Sequence, residues 1–79
     1  MDYLVTEARY VAGYTVWLRF RDGSAGEIDL ETELHGDVFE PLKDMMFFRR
    51  FRVEGGALEW SNGASFAPEF LHENIRVAT

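Results

Sequence analysis

The stretch 16–30 constrains the fold most, because it has the pattern of a β-hairpin. Apolar and polar residues alternate along both arms, as in strands that bury one face. The arms meet at Asp22-Gly23, a dipeptide that strongly favours a short hairpin loop. The sequence therefore predicts two antiparallel strands joined by a tight turn.

The length of this turn follows from the register of the strands. A two-residue loop would set Val16 opposite Asp29 and would mix apolar and charged side chains on one face. A three-residue loop over 21–23 sets Val16 opposite Ile28 and keeps that face apolar. It also gives Gly23 the left-handed position that follows a type I turn in a G1 bulge. We therefore predict the three-residue loop.

A second hairpin is predicted over 57–66 by the same reasoning. Its loop contains Asn62-Gly63, and a three-residue loop sets Leu58 opposite Phe66. The two hairpins match each other at a shift of forty positions. Two interpretations stay open: a duplicated unit, or two hairpins that share the residues any hairpin favours.

Short helical segments are expected between and after the hairpins. Pro41 is compatible with one helical turn over 38–42, and Asp44 is a good N-cap for a short helix over about 45–50. Pro68 favours a last helical turn. We predict an α+β fold, a mainly antiparallel sheet of about four to six strands that combines two β-hairpins with short intervening helical turns.

The distribution of apolar residues also predicts a first strand, the conformation of the C-terminal tail and the core. We expect a first strand over 4–11 and an extended or frayed tail over 75–77. The predicted core consists of Val16, Leu18, Phe20, Ile28, Leu30, Phe39, Leu42, Phe47, Leu58, Trp60 and Phe66.

Length and composition limit the classes of function. We expect the 79 residues to form one domain, 1–79, and the absence of cysteine excludes a disulfide framework and a thiolate metal site. A net charge of −6 opposes non-specific binding to nucleic acid or anionic membranes. The acidic N-terminus and the lack of an apolar run of about 20 residues predict no signal peptide and no membrane helix. We therefore expect a cytoplasmic protein.

A recognisable family pattern extends over most of the chain. It consists of Tyr14-x-Val16-x-Leu18-x-Phe20-x-Asp22-Gly23, Asp29-Leu30, Val38-Phe39-Glu40-Pro41-Leu42, Phe47 or Phe48, and Leu58-x-Trp60-x-Asn62-Gly63 with Pro68. This pattern resembles the bacterial domain-of-unknown-function family 2442 over 5–71. The chain departs from the family at Ser61, where proline is usual, and at Ser65, where aspartate is usual.

The resemblance implies a small α+β domain with no assigned activity. Members of the family look like products of bacterial genes that lie beside a second small gene, an arrangement similar to a toxin–antitoxin pair. Some members carry a downstream helix-turn-helix DNA-binding domain, which we do not expect within these 79 residues.

The sequence contains no motif that indicates catalysis. Ser24, Ser61 and Ser65 lie beside turn glycines and not in a nucleophile elbow. His35 and His72 each lie near acidic residues, but no spacing favours convergence on a metal ion. We therefore expect no enzymatic activity, no metal site and no cofactor.

Arginine and aromatic residues give the one candidate surface. The arginines Arg19, Arg21, Arg49, Arg50 and Arg52 are five of the eight basic residues, and they form a local positive patch if they converge. The predicted partner surface is Trp17, Arg19, Arg21, Phe48, Arg49, Arg50 and Arg52. An ordinary solvated face, in which arginine stems cover aromatic rings, is the structural alternative.

These observations favour a non-catalytic protein-interaction or regulatory module, such as an antitoxin-like partner of a neighbouring gene product. We expect a protein partner or a homo-oligomer, no membrane association and no direct binding to nucleic acid. A nucleic-acid-associated regulator and a small-ligand-binding domain are the alternative functions.

Overall fold

A computed structural model describes residues 3–76. In chain order the elements are β1 (Val5–Ala12), β2 (Thr15–Phe20), β3 (Ala25–Asp29), α1 (Met45–Phe48), β4 (Arg52–Glu54), β5 (Ala57–Glu59), β6 (Ser65–Phe66) and α2 (Pro68–Asn74), with 3-10 turns at Glu31–Glu33 and Glu40–Lys43.

The strands form two antiparallel sheets. The first sheet has the order β1-β2-β3 and the second has the order β4-β5-β6. Each sheet contains only strands that are consecutive in the chain, so neighbouring strands of a sheet are also neighbours in sequence. The predicted α+β class is confirmed, but two three-stranded sheets replace the single sheet that we expected. The backbone N–H of Val5 donates to the carbonyl of Gly56 at 2.9 Å and joins the two sheets.

Both predicted hairpin registers are confirmed. Val16 pairs with Ile28, and Leu58 pairs with Phe66. In the first loop, the N–H of Phe20 donates to the carbonyl of Ser24 at 2.8 Å, which leaves three residues in the turn. Gly23 has a φ of 91°, a left-handed conformation that a residue with a side chain rarely adopts. Local turn chemistry and apolar alternation therefore fix this part of the fold.

The two α-helices differ in length from the predicted segments. The carboxylate of Asp44 accepts a hydrogen bond from the N–H of Met46 at 3.0 Å, which confirms Asp44 as the N-cap of α1. This helix ends at Phe48, earlier than expected, whereas α2 continues from Pro68 to Asn74. No helix within residues 3–76 is long and apolar enough to cross a membrane.

The chain after α2 returns to the first sheet. Arg76 forms an isolated antiparallel bridge with Glu27 in β3. The predicted extended tail is therefore confirmed at Arg76, while Val77 lies outside the described residues.

The core includes most of the predicted residues. Its buried apolar residues are Val5, Val16, Leu18, Phe20, Ile28, Leu30, Leu34, Leu42, Phe48, Leu58, Trp60, Ala64, Phe66 and Leu71. Phe39 and Phe47, which we placed in the core, are only partly buried against it. Phe48, which we placed on the partner surface, is fully buried. Adjacent residues on a single helical turn point about 100° apart, so only one of Phe47 and Phe48 faces the interior.

Most of the aromatic content lies in a cluster that connects the two sheets. Phe48 lies 5.6 Å from Trp60 and 5.3 Å from Tyr14, measured between ring centroids. Trp60 in turn packs edge-on against Phe66 at 5.8 Å. Large rings bury much apolar area per residue, which is how a short chain fills a core between two small sheets.

Candidate functional site

The candidate site lies on the face of the first sheet that points away from the core. Burial alternates along β2, where Val16 and Leu18 are buried while Trp17 is half-buried and Arg19 is exposed. Strand pairing therefore places a group of polar and aromatic residues together on the outer face. This group is named the Trp17 face and consists of Glu7, Arg9, Trp17, Arg19 and Glu27.

Trp17 lies at the centre of this face between two arginines. The guanidinium carbon of Arg19 lies 5.3 Å from the centroid of the Trp17 ring, and that of Arg9 lies 5.5 Å from it. Both distances are within the range of a cation–π contact. The indole ring of Trp17 is therefore in contact with the guanidinium groups of both arginines.

Two carboxylates lie on the same face. Glu7 forms a close ion pair with Arg9 at 2.6 Å and a longer ion pair with Arg19 at 3.7 Å. Glu27 pairs across the strands with Trp17. Two arginines and two glutamates leave the Trp17 face without a net charge.

An open depression of about 440 Å³ lies over part of this face. Its lining residues are Arg9, Tyr10, Val11, Trp17, Arg19 and Glu27. Val11 is 42% exposed, so the depression has an apolar margin beside the indole ring. Arg49 contacts Tyr10, with its guanidinium carbon 4.9 Å from the centroid of the Tyr10 ring, but it does not line the depression.

The other predicted arginines do not join Trp17. Arg52 lies in the second sheet and binds Glu59 at 2.9 Å, with Glu54 at 3.9 Å. Arg21 is exposed in the first hairpin loop, and Arg50 is exposed after α1. The predicted surface therefore contributes Trp17 and Arg19 to this face, whereas Arg49 contacts Tyr10 outside it.

Arg9 is a residue of this face that the sequence interpretation missed. A two-residue loop between β1 and β2 pairs Ala12 with Thr15, and continuing that register would set Arg9 opposite Leu18. A bulge between Tyr10 and Ala12 shifts the register and sets Arg9 opposite Trp17. The sequence pattern of β1 gives no signal for this bulge.

A second polar cluster joins the first hairpin loop to α2. His72 Nε2 lies 2.9 Å from Asp22 Oδ2 and 3.3 Å from Ser24 Oγ. Ser24 Oγ also donates to Asp22 Oδ1 at 2.5 Å. In a hydrolytic triad, the serine and the acid contact opposite nitrogens of the histidine. Here both contact the same nitrogen, an arrangement that fastens the loop to the helix.

The pKa of Asp22 reflects this cluster. Hydrogen bonds from the side chain and the backbone N–H of Ser24, followed by the hydrogen bond with His72, lower the pKa of Asp22 from 3.8 to about 2. Hydrogen bonds to a carboxylate favour its ionised form. The Asp22 carboxylate is therefore ionised at neutral pH and holds both partners.

Within residues 3–76, no group of three or more His, Asp or Glu side chains is arranged to hold a metal ion. His35 is exposed, and it lies in the loop between the first 3-10 turn and the second.

Comparison with curated proteins and comparison with solved structures each give no match. A family model described as a protein of unknown function (DUF2442) matches residues 5–77, which is nearly the whole chain. The Trp-x-Asn-Gly segment of the resemblance forms the loop of the second hairpin, where Asn62 Nδ2 donates to the carbonyl of Val38 at 2.9 Å. The chain belongs to the DUF2442 family.

Proposed function

We propose that this protein is a non-catalytic protein-interaction module and that the Trp17 face, with the depression over it, is its binding surface. The observation that carries the proposal is the position of Trp17 between Arg9 and Arg19 on a sheet face directed away from the core. Tryptophan, tyrosine and arginine are the residues most enriched among those that dominate protein–protein binding energy.

The charge balance of the face favours a protein partner over a nucleic acid. Binding to a phosphate backbone requires unpaired positive charge. Here Glu7 already binds both arginines, and Glu27 adds a second carboxylate. A near-neutral surface around an aromatic residue has the composition of a protein interface.

The pre-positioned arginines support binding without a large ordering cost. Contact with the indole ring and with Glu7 restricts both guanidinium groups before any partner arrives. Immobilising a flexible side chain at an interface costs about 0.5–1.5 kcal/mol. A partner carboxylate or backbone carbonyl would therefore meet donors whose positions are already restricted.

The family resemblance suggests which partner to test first. A protein encoded beside this gene is the first candidate, and the chain would then act as its antitoxin-like regulator. A second copy of this chain is the other protein that the same surface could bind.

The experiment combines capture and reconstitution. The tagged chain is used to capture proteins from the source organism, and each retained protein is then purified and titrated by calorimetry. We expect Trp17→Ala to weaken binding by ~2 kcal/mol or more, and the matched control Arg50→Ala to stay within about 0.5 kcal/mol. Arg50 is exposed but lies outside the Trp17 face.

Two outcomes would contradict this function. One is a partner that binds the Trp17→Ala variant as tightly as the parent protein. The other is tight, strongly salt-dependent binding of a duplex oligonucleotide that Trp17→Ala does not change, which would favour the nucleic-acid alternative. Light scattering during the titration separates a bound partner from a second copy of the chain.

A further inference from the structure

The outer edge of β3 presents backbone groups for strand pairing. β3 is the last strand of the first sheet. The N–H of Leu30 donates to the carbonyl of Tyr14 at 2.9 Å, and Val16 pairs with Ile28, so even-numbered residues bond to β2. In an antiparallel pair the intervening residues direct their N–H and C=O groups to the other side. The backbone groups of Glu27 and Asp29 therefore point away from β2.

A residue of the same chain, Arg76, already pairs with this edge of β3. The N–H of Glu27 donates to the carbonyl of Arg76 at 3.1 Å, and the N–H of Arg76 donates to the carbonyl of Glu27 at 2.7 Å. Arg76 is a basic residue in an antiparallel bridge. The bridge thus extends the first sheet by one residue, Arg76, beside Glu27. The outward backbone groups of Asp29 lie two residues further along the same edge.

A groove of about 390 Å³ lies beside this edge. Its lining residues are Thr15, Glu27, Ile28, Asp29, Thr32, Glu33, Phe70, Asn74 and Arg76. Phe70 and Ile28 supply apolar surface within a groove whose other walls are polar.

The charged side chains that line the groove favour a basic ligand. Glu27, Asp29 and Glu33 bring three carboxylates to its walls, and within residues 3–76 none of them forms an ion pair. Arg76 is the one basic residue among those that line it. The walls therefore carry surplus negative charge beside the backbone groups of Asp29, which have no strand partner among residues 3–76, and they complement a basic extended chain.

We propose that this groove binds a short extended segment of a partner protein that carries lysine or arginine and pairs with the outward backbone groups of Asp29. Strand addition supplies the main-chain hydrogen bonds, and the three carboxylates supply the preference for basic side chains. This second surface lies at the edge of the sheet and shares Glu27 with the Trp17 face, but the pairing with Asp29 does not require the function proposed for that face.

The test uses fluorescein-labelled peptides and fluorescence anisotropy. The probe is an eight-residue peptide of alternating arginine and threonine. A second peptide has glutamate in place of arginine, and a third is the basic peptide with alternate backbone nitrogens methylated. We expect the basic peptide to bind, and each of the other two to bind at least about tenfold more weakly, the effect of losing roughly one good hydrogen bond or ion pair.

Matched protein variants locate the binding. The triple variant Glu27→Gln, Asp29→Asn, Glu33→Gln removes the groove charges, and asparagine at 29 keeps a side-chain oxygen that accepts from the N–H of Glu31. The control Asp37→Asn, Glu69→Gln, Glu73→Gln changes the net charge equally at exposed acids that do not line the groove. We expect the first variant to weaken binding about tenfold and the control to weaken it less than about threefold.

Nitrogen-15 chemical-shift mapping of the parent protein completes the test. We expect the largest changes at Asp29 and Arg76, which lie in the groove and outside the Trp17 face. Equal binding of the glutamate peptide, insensitivity to backbone methylation, equal losses in the two triple variants, or shifts confined to Arg9 and Val11 would each overturn the proposal. Because Asp29 and Arg76 line only the groove, whereas Arg9 and Val11 line only the depression over the Trp17 face, the positions of the shifts distinguish failure of one proposal from failure of the other.

Discussion

His72 Nε2 lies 2.9 Å from Asp22 Oδ2, although fifty residues separate them in the chain. The contact joins α2, which follows the last strand of the second sheet, to the loop of the first hairpin. Phe20 meets the imidazole ring edge-on, with 4.9 Å between the ring centroids. The same helix buries Leu71 completely. The contacts of His72 with Asp22 and Phe20 thus hold the C-terminal helix against the first hairpin, and Leu71 anchors the helix in the core.

The first prediction concerns the contribution of Asp22 to the stability of the fold at acidic pH. Its pKa in the folded protein, about 2, lies below the ordinary value of 3.8. The ionised carboxylate therefore stabilises the fold above pH 3.8, and this contribution is lost as the pH falls from 3.8 through 2. We expect the urea midpoint of the parent protein to fall more steeply in this window than that of Asp22→Asn.

The control for this prediction is Asp37→Asn, because Asp37 is exposed and its carboxylate makes no hydrogen bond within residues 3–76. This variant should follow the pH dependence of the parent protein. Parallel curves for the parent and Asp22→Asn would show that the contacts of Asp22 with Ser24 and His72 add no stability in solution.

The second prediction concerns the apolar anchor of α2. Leu71→Ala removes a fully buried side chain and should lower the free energy of unfolding by ~2–5 kcal/mol. Glu69→Ala, at an exposed position of the same helix, should change it by less than about 0.5 kcal/mol. Urea denaturation followed by circular dichroism measures both. A loss below 1 kcal/mol for Leu71→Ala would mean that α2 contributes little to the core.

The hairpins could be predicted because their information is local. Asp22-Gly23 and Asn62-Gly63 demand particular turn conformations, and apolar alternation then leaves one register for each hairpin. The N-cap at Asp44 was predictable for the same reason, since a short side chain there reaches the N–H of Met46.

Features that depend on contacts distant in sequence could not be predicted. Arg9 reaches Trp17 only because a bulge shifts β1, and the approach of His72 to Asp22 requires the whole chain to be folded. The choice between Phe47 and Phe48 depends on the direction in which α1 packs, which a helix of one turn does not encode. The sequence interpretation therefore assigned Phe48 to the partner surface, whereas its side chain lies in the core.

The third prediction concerns the buried hydrogen bond of Trp60. The indole Nε1–H donates to the carbonyl of Phe48 at 2.8 Å, and Trp60 is only 1% exposed. Trp60→Phe leaves that carbonyl without its donor and should lower the free energy of unfolding by ~1–3 kcal/mol. Trp17→Phe is the matched control and should change it by less than about 0.5 kcal/mol, because Trp17 lies on the outer face. Circular dichroism is the appropriate signal, since both variants alter tryptophan fluorescence.

Equal effects of these two substitutions would contradict the third prediction. They would mean that the carbonyl of Phe48 finds another donor or water after the substitution. A larger effect of Trp17→Phe would also indicate that the Trp17 face stabilises the sheet itself.

The fourth prediction concerns the glycine turn between β4 and β5, which the start of the first strand contacts. Gly55 and Gly56 have φ values of 60° and 83°, so alanine at either position requires a left-handed backbone conformation that costs roughly 1 kcal/mol. The positions differ in their surroundings. A Cβ at Gly56 would lie 2.6 Å from Cδ2 and 2.9 Å from Cβ of Leu4, whereas a Cβ at Gly55 meets nothing within 4 Å.

We therefore expect Gly56→Ala to destabilise the protein by more than Gly55→Ala, with the difference measured as a shift of the urea midpoint. The excess arises from contact with Leu4, so Leu4→Ala should remove part of it in a double-mutant cycle and should leave the effect of Gly55→Ala unchanged. Equal losses for the two glycine variants would show that the chain before β1 moves away at little cost. In that case the hydrogen bond from Val5 to Gly56, and not the packing of Leu4, would be what holds the first strand against the second sheet.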